Sequence, residues 1–305
     1  MLPDYHIHTP FCKHAEGELA EFQEAARRKN LPEICFTDHV PNPDDFDQEH
    51  RMSLDEFNLY EEKVLSLSSR LRHNAPRPVA GKNGETTRHS PPVADDGGAT
   101  VMATASFTSN APSILLGVEA DYYNGCERFL GEWLPRQKLD LVIGSVHFID
   151  NWGFDNPDER EVWDNVDVGN TWRAYFDLIG RLADTRFFDV VGHFDLPKKF
   201  GYSPGERAVR EMVGPVMEKI ARAQMAIEIN TSGLRKPVRE IYPSLTLLGL
   251  ARDHGIPVCF GSDAHKPDEV GYEFADALDW ARQAGYTEAV RFFQRRKIKY
   301  ALPAG

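Results

Sequence analysis

Ten side chains of the kinds that bind metal ions stand at the ends of apolar runs or in the loops just after them. His6 and His8 open the chain and His14 follows; Asp38 and His39 close the next run and Glu119 the one after. His147, His193, Asp263 and His265 come in matching places further on. Seven of the eleven histidines fall in this set, and His50, His73, His89 and His254 fall outside it. Imidazole and carboxylate donors suit zinc, iron or manganese, and no thiolate is needed. In an extended segment, residues two apart share a face, so His6 and His8 can address one ion. Taken singly, such a pair serves as well for a structural contact, His147 or His193 reads as a core or capping histidine, and Asp263 as a turn residue. Glu119 is harder to dismiss. It ends the run Leu115 to Val118, where a carboxylate is costly to bury unless it is paired or bound to metal. Asp121, two positions on, is placed to support a neighbouring ligand. The repeated arrival of donors at segment ends points to one site assembled from many elements.

Seven runs rich in β-branched or aliphatic residues read as strands, and all but the sixth carry these donors: Asp4 to Thr9, Glu33 to Thr37, Ile114 to Ala120, Leu141 to His147, Phe188 to His193, Ala226 to Thr231 and Pro257 to Ser262. Several are apolar at consecutive positions, the pattern of strands buried on both faces of a parallel sheet. Helical patterns fill the gaps: Glu18 to Lys29, Ser53 to Leu71, Thr171 to Asp184, Gly205 to Ala223, Ser244 to His254 and Phe274 to Ala284, with a further short helix expected over Glu288 to Arg295. Alternation of strand and helix predicts a βα-repeat α/β architecture, in which functional residues gather at the carboxyl ends of the strands. One segment breaks the rhythm. Residues 73–112 are rich in Pro, Gly, Ser, Thr and Ala without a sustained apolar period, and read as a flexible insertion that cannot bury enough surface to offset its ordering entropy.

The 305 residues and 41% hydrophobic content suit an α/β barrel forming a single domain. No uninterrupted apolar stretch reaches the roughly 18 residues of a membrane span, and the chain enters its first strand without a basic and apolar leader. Cys12, Cys35, Cys126 and Cys259 form no CxxC pair; reduced thiols and no leader predict a cytoplasmic protein. Cys12 lies near His14 and could touch a metal. A formal charge of −12 argues against a nucleic-acid backbone as partner. It suits an anionic substrate only if bound divalent cations make the local field positive.

The motifs His6-x-His8-Thr9, Thr37-Asp38-His39, the strand-end Glu119, Gly144-Ser145-Val146-His147, Gly192-His193 and Gly261-Ser262-Asp263-Ala264-His265 resemble those of the polymerase-and-histidinol-phosphatase (PHP) superfamily. Within it, Val146 to Asp150, Trp152 to Asp155, His193 to Leu196 and Glu228 to Pro237 look most like the monofunctional PHP-type histidinol-phosphatases. The resemblance covers the chain apart from 73–112. It implies a distorted (β/α)7 barrel with two or three divalent ions (zinc, iron or manganese) in its mouth. Carried over, the first ion takes His6, His8, Glu119 and Asp263. The second shares Glu119 and adds His147 and His193, and the third takes His14, His39 and His265.

Such a centre fits phosphomonoester hydrolysis, because divalent ions bring the pKa of water from ~15.7 to about 7 and offset charge on phosphoryl oxygens. No side-chain nucleophile is required. Arg235, after the sixth strand, is the best candidate for a forked phosphate contact; Lys198 and Lys199 are weaker ones. Asp38 either orients a ligand imidazole or protonates the leaving alkoxide. The resemblance implies L-histidinol phosphate as the small-molecule substrate, in histidine biosynthesis. Nucleotides or oligonucleotide ends are the nearest alternative, and a metal-binding regulatory domain without turnover is the alternative of another class. The oligomeric state is not legible. Replacing residues 75–110 by a short Gly/Ser bridge is expected to leave a single cooperative urea-unfolding transition; loss of that cooperativity would make the insertion part of the core.

Overall fold

The computed structural model describes residues 1–43, 46–74 and 111–303, so most of the predicted insertion, with His89, lies outside the described residues. The strands are β1 (Asp4–Ile7), β2 (Glu33–Phe36), β3 (Ser113–Asp121), β4 (Leu141–Ser145), β5 (Phe148–Ile149), β6 (Trp152–Gly153), β7 (Val190–Val191), β8 (Ala226–Asn230), β9 (Val258–Gly261), β10 (Glu288–Phe293) and β11 (Arg296–Ala301). The helices are α1 (Leu19–Arg28), α2 (Leu54–Asn74), α3 (Glu127–Trp133), α4 (Val168–Thr185), α5 (Glu206–Arg222), α6 (Leu245–Asp253) and α7 (Phe274–Gln283). Seven strands form one parallel sheet in the order β1-β2-β3-β4-β7-β8-β9. This is the expected (β/α)7 barrel, with all seven predicted barrel strands in place. Among the described residues no helix is long and apolar enough to cross a membrane.

The sheet closes on itself through side chain and backbone together. The N–H of His8 donates to the carbonyl of Ala264 at 2.8 Å, and that of Ala264 to His6 at 3.2 Å. Below them Asp4, wholly buried, accepts from the N–H of Ser262 at 2.9 Å, its hydroxyl at 2.6 Å and the N–H of Gly271 at 2.8 Å. One carboxylate thus ties the first strand to the last.

The barrel interior changes character along its axis. At the amino ends of the strands Tyr5, Cys35, Leu115, Leu141, Val190, Ala226 and Cys259 form a dry cluster. Side chains alternate along a strand, so the same inward rows continue upward as Glu119 and Asp121 on β3, Ser145 on β4, and Glu228 and Asn230 on β8. In β1 the alternation is interrupted. Its register slips between Asp4 and Ile7, where three steps match two on β2. Tyr5 therefore faces the dry cluster and Ile7 the helix-side core, while His6 and His8 face the mouth. A bulge that re-aims side chains beside a functional site is a known use of such irregularities.

The expected helix over Glu288 to Arg295 is instead a strand. β10 pairs antiparallel with β11 through a turn whose two central residues, Gln294 and Arg295, have φ of 49° and 63°, as a two-residue primed turn requires. Val290 and Phe292 enter the dry cluster and plug the barrel's amino end, with Phe292 edge-on to Tyr5 at 5.4 Å. Tertiary burial of alternate apolar residues decides the conformation here, over a window too short for periodicity to separate helix from strand. Phe292→Ala is expected to lower the unfolding free energy by about 3 kcal/mol in urea titration; a loss under about 1 kcal/mol would mean that the hairpin does not seal the core.

Candidate metal centre

The inward rows bring nine predicted donors to the carboxyl end of the barrel, arranged around Glu119. Its Oε2 lies 3.3 Å from Nε2 of His6, 3.3 Å from Nε2 of His8 and 3.2 Å from Nδ1 of His39. Its Oε1 lies 3.0 Å from Nε2 of His193, 3.6 Å from that of His147, and accepts from the Ser145 hydroxyl at 2.5 Å. Asp263 Oδ1 completes the first group, 3.4 Å from His8 Nε2 and 3.8 Å from His6 Nε2, which are themselves 3.1 Å apart. Donors held at 2.0–2.2 Å around a tetrahedral ion are about 3.3–3.5 Å from one another. The spacing of His6, His8 and Glu119 is close to that, with Asp263 beside the two histidines, and Glu119 Oε1, His147 and His193 match it on the other side.

The tautomers agree. His6 Nδ1 donates to Glu228 Oε1 at 2.8 Å, His147 Nδ1 to Asp121, His14 Nδ1 to the Cys12 carbonyl at 2.7 Å, and His265 Nδ1 to the Asp263 carbonyl at 3.0 Å. A carbonyl only accepts, so in His14 and His265 the proton sits on Nδ1 and the Nε2 lone pair is free. These two Nε2 atoms face each other at 2.9 Å, which is repulsive unless a proton or a metal ion lies between them. Such outward Nδ1–H contacts are the usual support for metal-binding imidazoles. His39 likewise turns its Nδ1 toward carboxylates, Glu119 and Asp121, and its ring centre is 5.7 Å from that of His14. Cys12, buried, presents its sulfur within 4.8 Å of ring nitrogens of His8 and His265.

Without an ion, protons carry the compensating charge. Burial pushes the Glu119 carboxyl up, but His6, His39 and His147 outweigh it and hold the group well below the usual carboxylate range. Burial disfavours charge on His147, yet Asp121 and Glu119 raise it to about 10. Burial, followed by the charge of His8, lowers His14 to about 4.

The predicted phosphate and proton-transfer residues divide. A cavity of about 420 Å³ opens over the donors and is lined by Lys199 and Arg235. Arg235 donates through Nη2 to the carbonyls of Ser262 and Asp263 at 2.9 and 3.0 Å and pairs with Glu269, while its buried Nη1 has no partner. Lys199 pairs with Asp155 at 3.0 Å. Lys198 is drawn away into a buried network with Asp195, Glu240 and the Ile241 carbonyl. Asp38 sits behind His8, accepting from the backbone and hydroxyl of Thr9, with its Oδ1 3.6 Å from His8 Nδ1.

Sequence reasoning missed three residues. Glu228 fixes His6 and also accepts from the N–H of His193 and the amide of Asn230, each at 3.0 Å. It had the same signal as Glu119, an acid within an apolar strand. Arg51, buried, pairs with Asp121 at 2.8 Å. Lys236 lines the cavity, and burial, then the charge of Lys199, hold its amine below the usual lysine value against the opposing pull of Asp263.

A profile of the PHP domain matches residues 4–232, and one described as PHP-associated matches 248–274. The chain belongs to the PHP family. A Deinococcus radiodurans protein named a probable histidinol-phosphatase is 34% identical over 98% of both chains. The Bacillus subtilis histidinol-phosphatase is 27% identical, covering 90% of this PHP chain and 98% of its own. The PHP barrel superposes on a Lactococcus lactis histidinol phosphate phosphatase, solved with zinc, L-histidinol and phosphate, with a TM-score of 0.74 at 18% identity, over 97% of this chain and 98% of that one. At that identity the likeness speaks for the fold.

Gly261 shows how tightly the centre is built: a Cβ there would fall 1.9 Å from Glu228 Oε1 and 2.7 Å from His6 Cβ. Gly261→Ala is expected to destabilise the protein by about 2 kcal/mol, read as a lower urea midpoint; an unchanged midpoint would mean that Glu228 swings aside without cost.

Proposed function

We propose that this protein is a metal-dependent phosphomonoesterase that hydrolyses L-histidinol phosphate to L-histidinol and phosphate in histidine biosynthesis. The observation that carries the reading is Glu119, which offers one oxygen to each of two donor groups beneath a cavity whose lining includes Lys199, Arg235 and Lys236. His6, His8, Glu119 and Asp263 would hold one divalent ion, and Glu119, His147 and His193 a second. His14, His39 and His265 would hold a third, with Cys12 close by. Zinc, iron or manganese fits these donors. Bound there, such ions would supply Lewis acidity and hydroxide at neutral pH.

The chain's own residues do the rest. Glu228 and Asp121 lock His6 and His147 with their Nε2 atoms toward the centre. Arg235 brings a guanidinium charge to the cavity wall for a phosphoryl group, and its position is set by two carbonyls and Glu269. Lys236 and Lys199 add positive charge to the same wall. Asp38 supports His8 and takes no part in proton transfer. The net charge of −12 disfavours nucleic acid as a substrate, and four free, buried cysteines suit the reducing cytoplasm.

Phosphate release from L-histidinol phosphate, p-nitrophenyl phosphate and a nucleoside monophosphate tests the reading. A clear preference for L-histidinol phosphate, abolished by a chelator and restored by zinc or manganese, is expected. Activity confined to the other two substrates would keep the metal chemistry and discard this substrate. No release from any of them, with metal still bound, would leave a non-catalytic metal-binding domain.

A further inference from the structure

Six carboxylates line the cavity, and five of them are occupied. Glu119 and Asp263 face the imidazoles, Asp47 pairs with Arg51 and His50, Asp155 with Lys199, and Glu269 with Arg235. Glu159 is the remaining one. Among the described residues its side chain has no ion-pair or hydrogen-bond partner. It stands on the 3-10 stretch Pro157–Asn165 that follows the β5–β6 hairpin, half-buried against buried Gly153. A Cβ on Gly153 would lie 3.1 Å from Glu159 Oε1, so the glycine leaves the carboxylate room in the wall. Phe148, from the same hairpin, also lines the cavity.

This distribution of charge asks for a ligand with two unlike ends. Arg235, Lys199, Lys236 and the metal donors take an anion. An unpaired carboxylate on the hairpin wall is suited to a cation instead. L-histidinol phosphate carries both charges, since the carbon next to its phosphorylated methylene bears a primary ammonium, with the imidazole beyond it. The ammonium is the better partner because it keeps its charge through neutral pH, whereas an imidazole, with an ordinary pKa of about 6.5, mostly loses it. We infer that Glu159 is a specificity-determining residue that pairs with the ammonium group of the substrate, an inference that rests on the histidinol phosphate reading above. The carboxylate takes no part in the bond cleavage, so its effect belongs in KM more than in kcat.

The test compares metal-replete wild type with Glu159→Gln on three substrates: L-histidinol phosphate, its deaminated analogue that keeps imidazole and phosphate, and p-nitrophenyl phosphate. Thermal midpoints and metal content are measured on both proteins to show that fold and centre are retained. The wild type should prefer L-histidinol phosphate to the deaminated analogue. In Glu159→Gln, kcat/KM for L-histidinol phosphate should fall about tenfold, chiefly through KM, and the preference over the analogue should collapse toward unity. A preference kept within twofold in the variant would overturn the role of Glu159 and leave the enzyme's function standing. A wild type that does not favour L-histidinol phosphate over p-nitrophenyl phosphate would overturn the functional reading, and this inference with it.

Discussion

Glu119 places an ionised carboxylate, 1% exposed, where five imidazoles converge. Withdrawing such a group from water costs several kcal/mol, and only opposite charge or strong hydrogen bonding can offset it. Most of the barrel's upper half answers that constraint. His6 and His8 reach Glu119 because the bulge in β1 turns them inward, His39 comes from the end of β2 and His193 from that of β7, and Ser145 donates from β4. Behind these stands a further layer of acids. Glu228 and Asp121 hold His6 and His147, and Arg51 in turn balances Asp121. The charges alternate outward from the centre, so no member is buried without a partner of opposite sign.

The lower half answers a different requirement. A polar centre of this density needs a rigid frame, and the frame is supplied by dry packing at the amino ends of the strands, closed by Val290 and Phe292 of the C-terminal hairpin. Asp4 joins the halves. It sits one residue below the cluster of Tyr5 and two below His6, and its bonds to Ser262 and Gly271 fix β1 against the segment that carries Asp263 and His265. Closure of the barrel and placement of four donors therefore depend on the same carboxylate.

Much of this was legible in the sequence because strand ends are marked twice, by the end of an apolar run and by a donor. Six of the seven barrel strands, and with them the set around Glu119, carry both marks; β8 ends in none of the donors. Where one mark is missing, the reading weakens. Glu228 lies within its strand and not at its end, so its support of His6 went unnoticed. Lys198 and Lys199 are adjacent and look equivalent, but the turn after β7 sends Lys198 into a buried network and Lys199 to the cavity. The segment Glu288 to Arg295 reads as helix and is a strand and turn, because only its contact with the barrel interior decides it. His39 has the expected motif, and the turn of its Nδ1 toward Glu119 and Asp121 is a side-chain rotation that no spacing encodes.

The most direct test of the account is the metal content of Glu119→Ala beside that of the wild type, measured by plasma mass spectrometry after loading with zinc and removal of free ion. A carboxylate that serves two donor groups must weaken both when it is removed. The account predicts that the folded variant retains fewer ions than the wild type by at least two. A folded variant with the wild-type complement of zinc would contradict it, and would make Glu119 the partner of protonated histidines alone.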